Sequence, residues 1–384
     1  MDSNDVPPNS ATPPPPPPPP LTPPPVIVPA AAARQPRRGR GWMVLALVLL
    51  VFLLFSMLLN FSQLTGGVGA GTGGLRTAGP RLDETLLEDN GASAKIAVID
   101  LDGIITSRAL DQSGFTMVDL IKAQLELAKE DDNVKAVVLR VDSPGGEVLA
   151  SDEIYRIIGD FQDETGKAVV ASMGNLAASG GYYISAACRW IVANELTITG
   201  SIGVIMSTWN YRGLMNRVGL QPQVYKSGKF KDMLSGDREP HEIPAEERAM
   251  VQQLIDDTYG RFKEVVAEGR EQAKQANRDA GRELADNWAD FADGRVLSGT
   301  QAYDLGLVDQ LGNFHDAVAK AASIGGIDDP KRVNIVRYQQ RYSLSDLLNI
   351  FGQSEARTIK VDLGIEPPKL QAGQLYFIAP TMIH

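Results

Sequence analysis

The chain has 384 residues, a formal net charge of −10, 43% hydrophobic residues, a single cysteine and three histidines. That length allows one large or two ordinary domains with a real core, and the basic residues are interleaved with acidic ones, which excludes a nucleic-acid footprint. Cys188 alone excludes an intrachain disulfide, and His241, His315 and His384 form no ligand-spaced cluster, so no metal or other cofactor is expected.

Residues 1–41 are rich in proline, including an unbroken run from Pro13 to Pro20, and end in a basic flank of Arg34, Arg37, Arg38 and Arg40. A proline run has no amide donors and locks φ, so this is an extended tail, either a spacer or a docking segment for a cytoplasmic proline-reading partner. Trp42 to Leu59 is continuously apolar except for Ser56, about the length needed to cross a hydrocarbon core, and 42–63 is expected to be a single transmembrane anchor. The arginines before it place the N-terminus in the cytoplasm and the rest of the chain outside the inner membrane. The competing reading is a cleaved signal peptide, with Val68-Gly-Ala70 as the small-residue site; the long apolar core favours a retained anchor. Residues 64–93, with the glycines from Gly66 to Gly74, are expected to be a flexible linker.

From Ala94 the pattern becomes that of a folded domain. Lys95 to Thr106 is rich in β-branched residues and predicts a strand or strand pair. Thr116 caps a predicted amphipathic helix to about Lys129; Val134 to Val141 is a buried strand; Glu147 to Asp163 is helical; Ala168 to Met173 is again a strand, and Ser179 to Ala187 can wind as a helix. Strands are also expected at Trp190 to Ala193 and Gln223 to Tyr225, with helices near Tyr211 to Val218, from Ala245 to about Asn277 after Pro244, at Gln301 to Leu305 and at Phe314 to Ser323. Alternation of this kind predicts a layered α/β domain over 94–330 with largely parallel strands. Residues 331–384 lack that regularity and read as an appendage ending in an apolar Leu375 to Ile378 strand.

Ser179 stands at a strand-to-helix junction among alanines and glycines, where backbone N–H groups are free and a substrate can approach closely. Asp142-Ser-Pro-Gly-Gly146 follows a strand and precedes a helix, so Gly145 and Gly146 can offer amides to an oxyanion. Lys226, Lys229 and Lys231 fall in one short stretch, and a lysine whose amine is made neutral by burial can act as base for a serine. On residue type alone all three lysines are candidates, and Ser201 in Thr199-Gly-Ser201 can orient an amine. Cys188, inside the apolar run after Ser179, reads as a buried structural thiol.

These motifs, Asp142-Ser-Pro-Gly-Gly146, Ala177-Ala-Ser-Gly-Gly-Tyr-Tyr183, Thr199-Gly-Ser-Ile-Gly-Val204, Lys226-Ser-Gly-Lys-Phe-Lys-Asp232 and Asp293-Gly-Arg-Val-Leu-Ser-Gly299 with Gly306-Leu-Val-Asp309, resemble the bacterial signal peptide peptidase A family, peptidase family S49, in its short single-unit form. The resemblance covers about 94–325. It implies a crotonase and Clp-protease-like layered fold of repeated β-β-α units. It also implies a membrane-anchored serine endopeptidase, with Ser179 as nucleophile, Lys231 as general base, Ser201 holding the lysine, and the Gly146 and Gly180 amides as oxyanion hole. Hydrophobic peptides, above all signal peptides released from preproteins, would be the substrates, and the chain would assemble as a homo-oligomer. Two other classes are weighed beside this: a crotonase-like acyl-CoA enzyme, which has no need of a Ser-Lys pair or an exported domain, and a non-catalytic membrane scaffold working through its proline tail.

Overall fold

The computed structural model describes residues 41–66, 79–110, 114–278, 280–327, 329–340 and 375–379. The proline-rich tail, residues 67–78 of the expected linker and residues 341–374 and 380–384 of the expected appendage lie outside the described residues. The chain divides into two compact units, Met1–Arg76 and Thr77–His384.

In the first unit the apolar run forms α1 (Gly41–Gly66), 26 residues long. Its side chains are described at Met43 and from Leu45 to Met57 and are exposed. Among the described residues, no helix is long and apolar enough to cross a membrane.

The second unit opens with β1 (Leu82–Glu88) and β2 (Lys95–Asp102), then α2 (Met117–Glu130), β3 (Val134–Ser143), β4 (Gly145–Glu147), α3 (Val148–Thr165), β5 (Ala168–Ala177) and α4 (Gly180–Ser185). It continues through β6 (Trp190–Ala193), β7 (Ile198–Gly200), β8 (Ile205–Met206), α5 (Arg212–Arg217), α6 (Ala245–Ala276), β9 (Val296–Ser298), α7 (Gly299–Asp304), β10 (Gln310–Leu311), α8 (Phe314–Ile324), β11 (Asn334–Gln340) and β12 (Leu375–Ile378). Among the described residues the main sheet follows the path β1-β11-β2-β3-β5-β6-β10, parallel except for the antiparallel β1–β11 pair, with β7 joined in parallel to β5 and β9 antiparallel to β7. A small second sheet runs β4-β12-β8. The unit is a mixed α/β domain, as the alternation predicts.

Strand periodicity explains the two layers. In β2, β3 and β5, Ile99, Leu139 and Ala171 point to one side, into a core shared with Ile121 and Leu125 of α2, Ile154 and Ile158 of α3, and Phe262 and Val265 of α6. Their neighbours Val98, Val138 and Val170 point to the other side, where Ala317, Val318, Ala321 and Ala322 of α8 cover them. Buried on both faces, these strands read as continuous apolar runs. Helix starts are equally local in origin. Thr116 and Asp119 form a reciprocal capping box at α2, and Pro244 is the N-cap of α6.

Three differences from expectation bear on the site. Gly145 and Gly146 do not open a helix; they form β4, because their backbone is paired on both sides. Gln223–Tyr225 is not a strand but an irregular, largely exposed stretch, since no neighbouring strand offers it a ladder. And β1 lies inside 64–93 while β11 lies inside 331–384, the two pairing with each other to form one edge of the main sheet.

Candidate active site

The carboxyl ends of β3 and β5 lie side by side, and the chain leaves both through short turns of small residues, where open α/β sheets hold their ligands. Ala178 N–H donates to Ser143 O at 3.0 Å and Ser179 N–H to Gly200 O at 2.8 Å, so the serine turn is tied to the β3 end and to β7. The Ser143 hydroxyl donates to Gly103 O at 2.6 Å and accepts from Gly145 N–H at 3.1 Å, bracing the glycine turn from beneath. Thr199 Oγ1 donates to Ala177 O at 2.7 Å. None of these braces is itself a reacting group; each fixes the backbone on which one stands.

Ser179 is the N-cap of α4 with φ 53° and ψ −115°, a conformation rare for an L side chain. It is fully buried, and its Oγ has no hydrogen-bond partner among the described residues. Ser201 likewise has a positive φ of 51° and is buried. A buried hydroxyl without a partner costs about 1–3 kcal/mol, and a strained backbone costs a similar amount again. Both unfavourable features meet at Ser179, the serine expected to be the nucleophile.

Gly180 and Gly146 meet at this point. A Cβ added to Gly180 would lie 3.2 Å from Gly146 N, 3.2 Å from Gly145 Cα and 2.7 Å from the Ser151 hydroxyl. A Cβ on Gly145 would lie 2.7 Å from Gly180 N. Two glycine segments can approach this closely only because neither has a side chain. The direction of the Gly146 amide follows from its neighbours. Ile105 N–H donates to Gly145 O at 3.0 Å and Glu147 N–H to Ile105 O at 2.8 Å. Strand alternation then turns the Gly146 N–H the other way, toward Phe377, its antiparallel partner on β12.

The lysines separate. Lys226 Nζ pairs with both Asp232 oxygens at 2.7 and 2.8 Å, and Lys229 pairs with Glu246. Lys231 is exposed, in the turn-rich segment that follows the irregular 220–226 stretch. Because Ser179 Oγ has no partner, neither Lys231 Nζ nor Ser201 Oγ is hydrogen-bonded to it here. Ser179, Gly146 and Gly180 are therefore brought together, Ser201 is tied to them through Gly200, and Lys231 is not joined to the serine.

Other motif residues have structural work. Asp309, in Gly306-Leu-Val-Asp309, pairs with the buried Arg270 of α6 and accepts from Ile191 N–H at 2.9 Å. Gly306 has φ 73°, and a Cβ there would lie 1.9 Å from Glu283 O, so this turn is closed to other residues. The Tyr182 hydroxyl donates to Leu307 O at 2.8 Å. Burial pushes the Cys188 thiol well above its usual range, which keeps it protonated and unreactive. Glu147, not singled out from sequence, is buried beside Gly146 and accepts from the Ser107 amide at 2.9 Å, the Thr106 hydroxyl at 3.0 Å and the Ser107 hydroxyl. Its place directly after the glycine pair was the available signal.

The family model of peptidase family S49 matches residues 162–327, and the Clp protease model matches residues 103–192. A Synechocystis sp. protein carrying a protease name is 40% identical over 273 residues, which cover 71% of this chain and 88% of that protein. The chloroplastic serine protease SPPA of Arabidopsis thaliana is 32% identical, with 69% of this chain and 37% of that protein covered. Protease 4 of Haemophilus influenzae is 34% identical, with 62% of this chain and 36% of that protein covered. The chain thus spans just over a third of the latter two relatives. The domain is Clp-protease-like, and its serine turn and glycine pair lie within or beside the matched segments. The chain belongs to peptidase family S49 and is a serine peptidase.

Proposed function

We propose that the chain is a membrane-anchored endopeptidase that cleaves hydrophobic peptides, signal peptides released from preproteins among them, through an acyl-enzyme on Ser179. The observation that carries this reading is the unpartnered, buried Ser179 hydroxyl on a strained turn beside Gly146 and Gly180. Ser179 Oγ attacks the scissile carbonyl and its proton passes to the Lys231 amine. The Gly180 amide holds the oxyanion, joined by the Gly146 amide once β12 no longer faces it, and the proton is delivered to the leaving amine as the peptide bond breaks. Water then attacks the ester, losing its proton to Lys231, and Lys231 returns that proton to Ser179 Oγ as the carboxyl product leaves. Ser201 keeps the amine directed at the serine.

A lysine becomes a base by being buried, and Lys231 is exposed in this single chain. Trp209, Leu214, Val218, Leu220 and Tyr225, on the stretch preceding it, are exposed large apolar side chains. We propose that this surface is covered by another copy in a homo-oligomer, and that the contact buries Lys231 and brings its amine to a serine. The anchor is read from the sequence: Trp42 to Leu59 is apolar except for Ser56 over about the length that a hydrocarbon core needs, and the arginines of the preceding segment hold the N-terminus in the cytoplasm. The catalytic domain then lies outside the inner membrane.

The test is cleavage of a synthetic signal peptide by the full chain in lipid discs. Ser179→Ala and Lys231→Ala are each expected to abolish turnover while Lys226→Ala retains it. Turnover retained by Lys231→Ala would sink the dyad.

A further inference from the structure

On the side of β4 away from β12, the backbone of Ile105 lies against the glycine pair. Ile105 and Gly146 form a parallel bridge, and a Cβ on Gly146 would lie 1.9 Å from Ile105 O and 2.6 Å from Ile105 N. Ile105 takes up both outward-facing groups of β4, Gly145 O at 3.0 Å and Glu147 N–H at 2.8 Å. That pairing is what leaves the Gly146 N–H pointing inward. The direction of this amide is therefore only as well fixed as Ile105 itself.

The Ile105 segment is tied at two ends. Upstream, Gly103 N–H donates to Asp142 O at 2.9 Å and Gly103 O accepts from the Ser143 hydroxyl at 2.6 Å, which joins that end to β3. Downstream the chain comes to the surface, where Ser107 and Arg108 are exposed. The tie there is Glu147. Its Oε1 accepts from the Thr106 hydroxyl at 3.0 Å, and its Oε2 accepts from the Ser107 amide at 2.9 Å and from the Ser107 hydroxyl. Glu147 is 5% exposed, and withdrawing a carboxylate from water is costly. The helix it opens does not use that carboxylate: Glu147 is the N-cap residue of α3 but makes no side-chain cap bond. A buried carboxylate given wholly to an exposed turn marks the turn as the thing to be held.

We propose that Glu147 is a positioning residue for catalysis: by holding Thr106 and Ser107 it fixes Ile105, and through Ile105 it presets the Gly146 amide for the oxyanion. The inference rests on the reading of Ser179 as nucleophile and Gly146 as oxyanion donor. For that amide to serve a substrate β12 has to leave it, and β4 then keeps the Ile105 segment as its neighbour on the other side. A donor preset in this way acts on the charge that develops in the tetrahedral intermediate, not on the bound peptide. Glutamine at position 147 keeps the shape but turns an NH2 group toward donors where an oxygen had accepted.

The test uses the full chain in lipid discs, a short hydrophobic peptide substrate and two inhibitors of the same sequence. One is a peptide aldehyde, whose carbonyl carbon adds to Ser179 Oγ; the other is the unreactive peptide methylamide. Glu147→Gln is expected to lower kcat by about thirtyfold with KM changed less than about twofold, and to weaken the aldehyde by a similar factor while the methylamide binds as before. Ser107→Ala should lower kcat by about fivefold, and the double variant should be no slower than Glu147→Gln alone, because both act through one connection. Val98→Ala, on the far face of the main sheet, should lower Tm with kcat and aldehyde affinity unchanged. If Glu147→Gln does not fold, Ser107→Ala on the exposed turn carries the same comparison. Wild-type kcat and aldehyde affinity in the variants, equal weakening of both inhibitors, multiplying effects in the double variant, or the same kcat loss in Val98→Ala overturns the proposal. A wild-type chain that neither cleaves the peptide nor binds the aldehyde overturns the reading of Ser179 and this proposal with it.

Discussion

Gly146 and Phe377 stand directly opposite each other in the antiparallel β4–β12 pair. The Phe377 carbonyl is so close that a Cβ on Gly145 would lie 2.0 Å from its oxygen. The expected oxyanion donor therefore faces the last described strand of the same chain. Phe377 is also part of the core, with ring centroids 5.0 Å from Tyr183 and 4.6 Å from Phe262.

This double role predicts a separation of stability from activity. A chain ending at Gly373 is expected to unfold at a lower temperature, because the Phe377 contact with two buried aromatics is lost, at a cost of about 3 kcal/mol. Its kcat/KM on short hydrophobic peptides is expected to rise, because the Gly146 amide no longer faces β12. Calorimetry and peptide cleavage on the same preparation read both. A lower Tm with no gain in activity would make β12 a structural strand only.

Ser179→Gly is expected to abolish turnover and to raise stability by about 1 kcal/mol. Glycine adopts φ 53° without strain, and the substitution also removes a buried hydroxyl that nothing in the described structure satisfies. Ser179→Ala removes the hydroxyl but keeps the strained backbone, so its gain should be the smaller of the two. Denaturant midpoints of the three chains decide this; a Ser179→Gly chain less stable than wild type would mean that the serine is part of the scaffold and not held against it.

How much of this was readable beforehand depended on whether a residue's role was local. Thr116, Pro244 and the double-sided apolar strands β2, β3 and β5 carry their structure in their own neighbourhood, and each formed where expected. The serine turn was legible for the same reason, since small residues between an apolar strand and a helix have few other uses. β1 was not, because Leu82–Glu88 is an edge strand whose charged residues face solvent, and it exists only through its partner β11, some 250 residues away. Gly146 was recognised as a close-approach residue, but its pairing with β12 depends on a contact across more than half the chain. The choice among Lys226, Lys229 and Lys231 is likewise non-local. Two of the three find carboxylates of their own chain, and that removes them more firmly than any spacing argument.

Glu147 adds a pH dependence. Its burial pushes the carboxyl pKa up, but the hydroxyl and amide of Ser107 and the hydroxyl of Thr106 outweigh this, and the net direction is down. A depressed carboxylate contributes stability that is present above its unfolded pKa of about 4.3 and is lost as pH falls through the lower folded value. Acid should therefore loosen the Ser107–Glu147 connection that holds the glycine strand. Glu147→Gln is expected to lower stability at neutral pH and to flatten the acid side of the stability profile below about pH 4. Unchanged acid sensitivity in Glu147→Gln would assign the effect to other carboxylates.

The separation of Lys231 from Ser179 leads to the most discriminating prediction. Within one chain the serine is buried without a partner and the lysine is exposed beyond an exposed apolar stretch. If assembly brings the lysine of one copy to the serine of another, two inactive chains can complement each other. Ser179→Ala copies keep a usable lysine, and Lys231→Ala copies keep a usable serine. Co-assembled from equal amounts with random placement, they should regain roughly a quarter of wild-type turnover, because about one contact in four joins an intact serine to an intact lysine. Trp209→Glu, introduced into both chains, should abolish the recovery by placing a charge on the apolar surface, with a matching loss of assembled species in sedimentation. Recovery near zero in co-assembled particles would place serine and lysine of each site on one chain, and the lysine-bearing segment would then have to fold over its own serine.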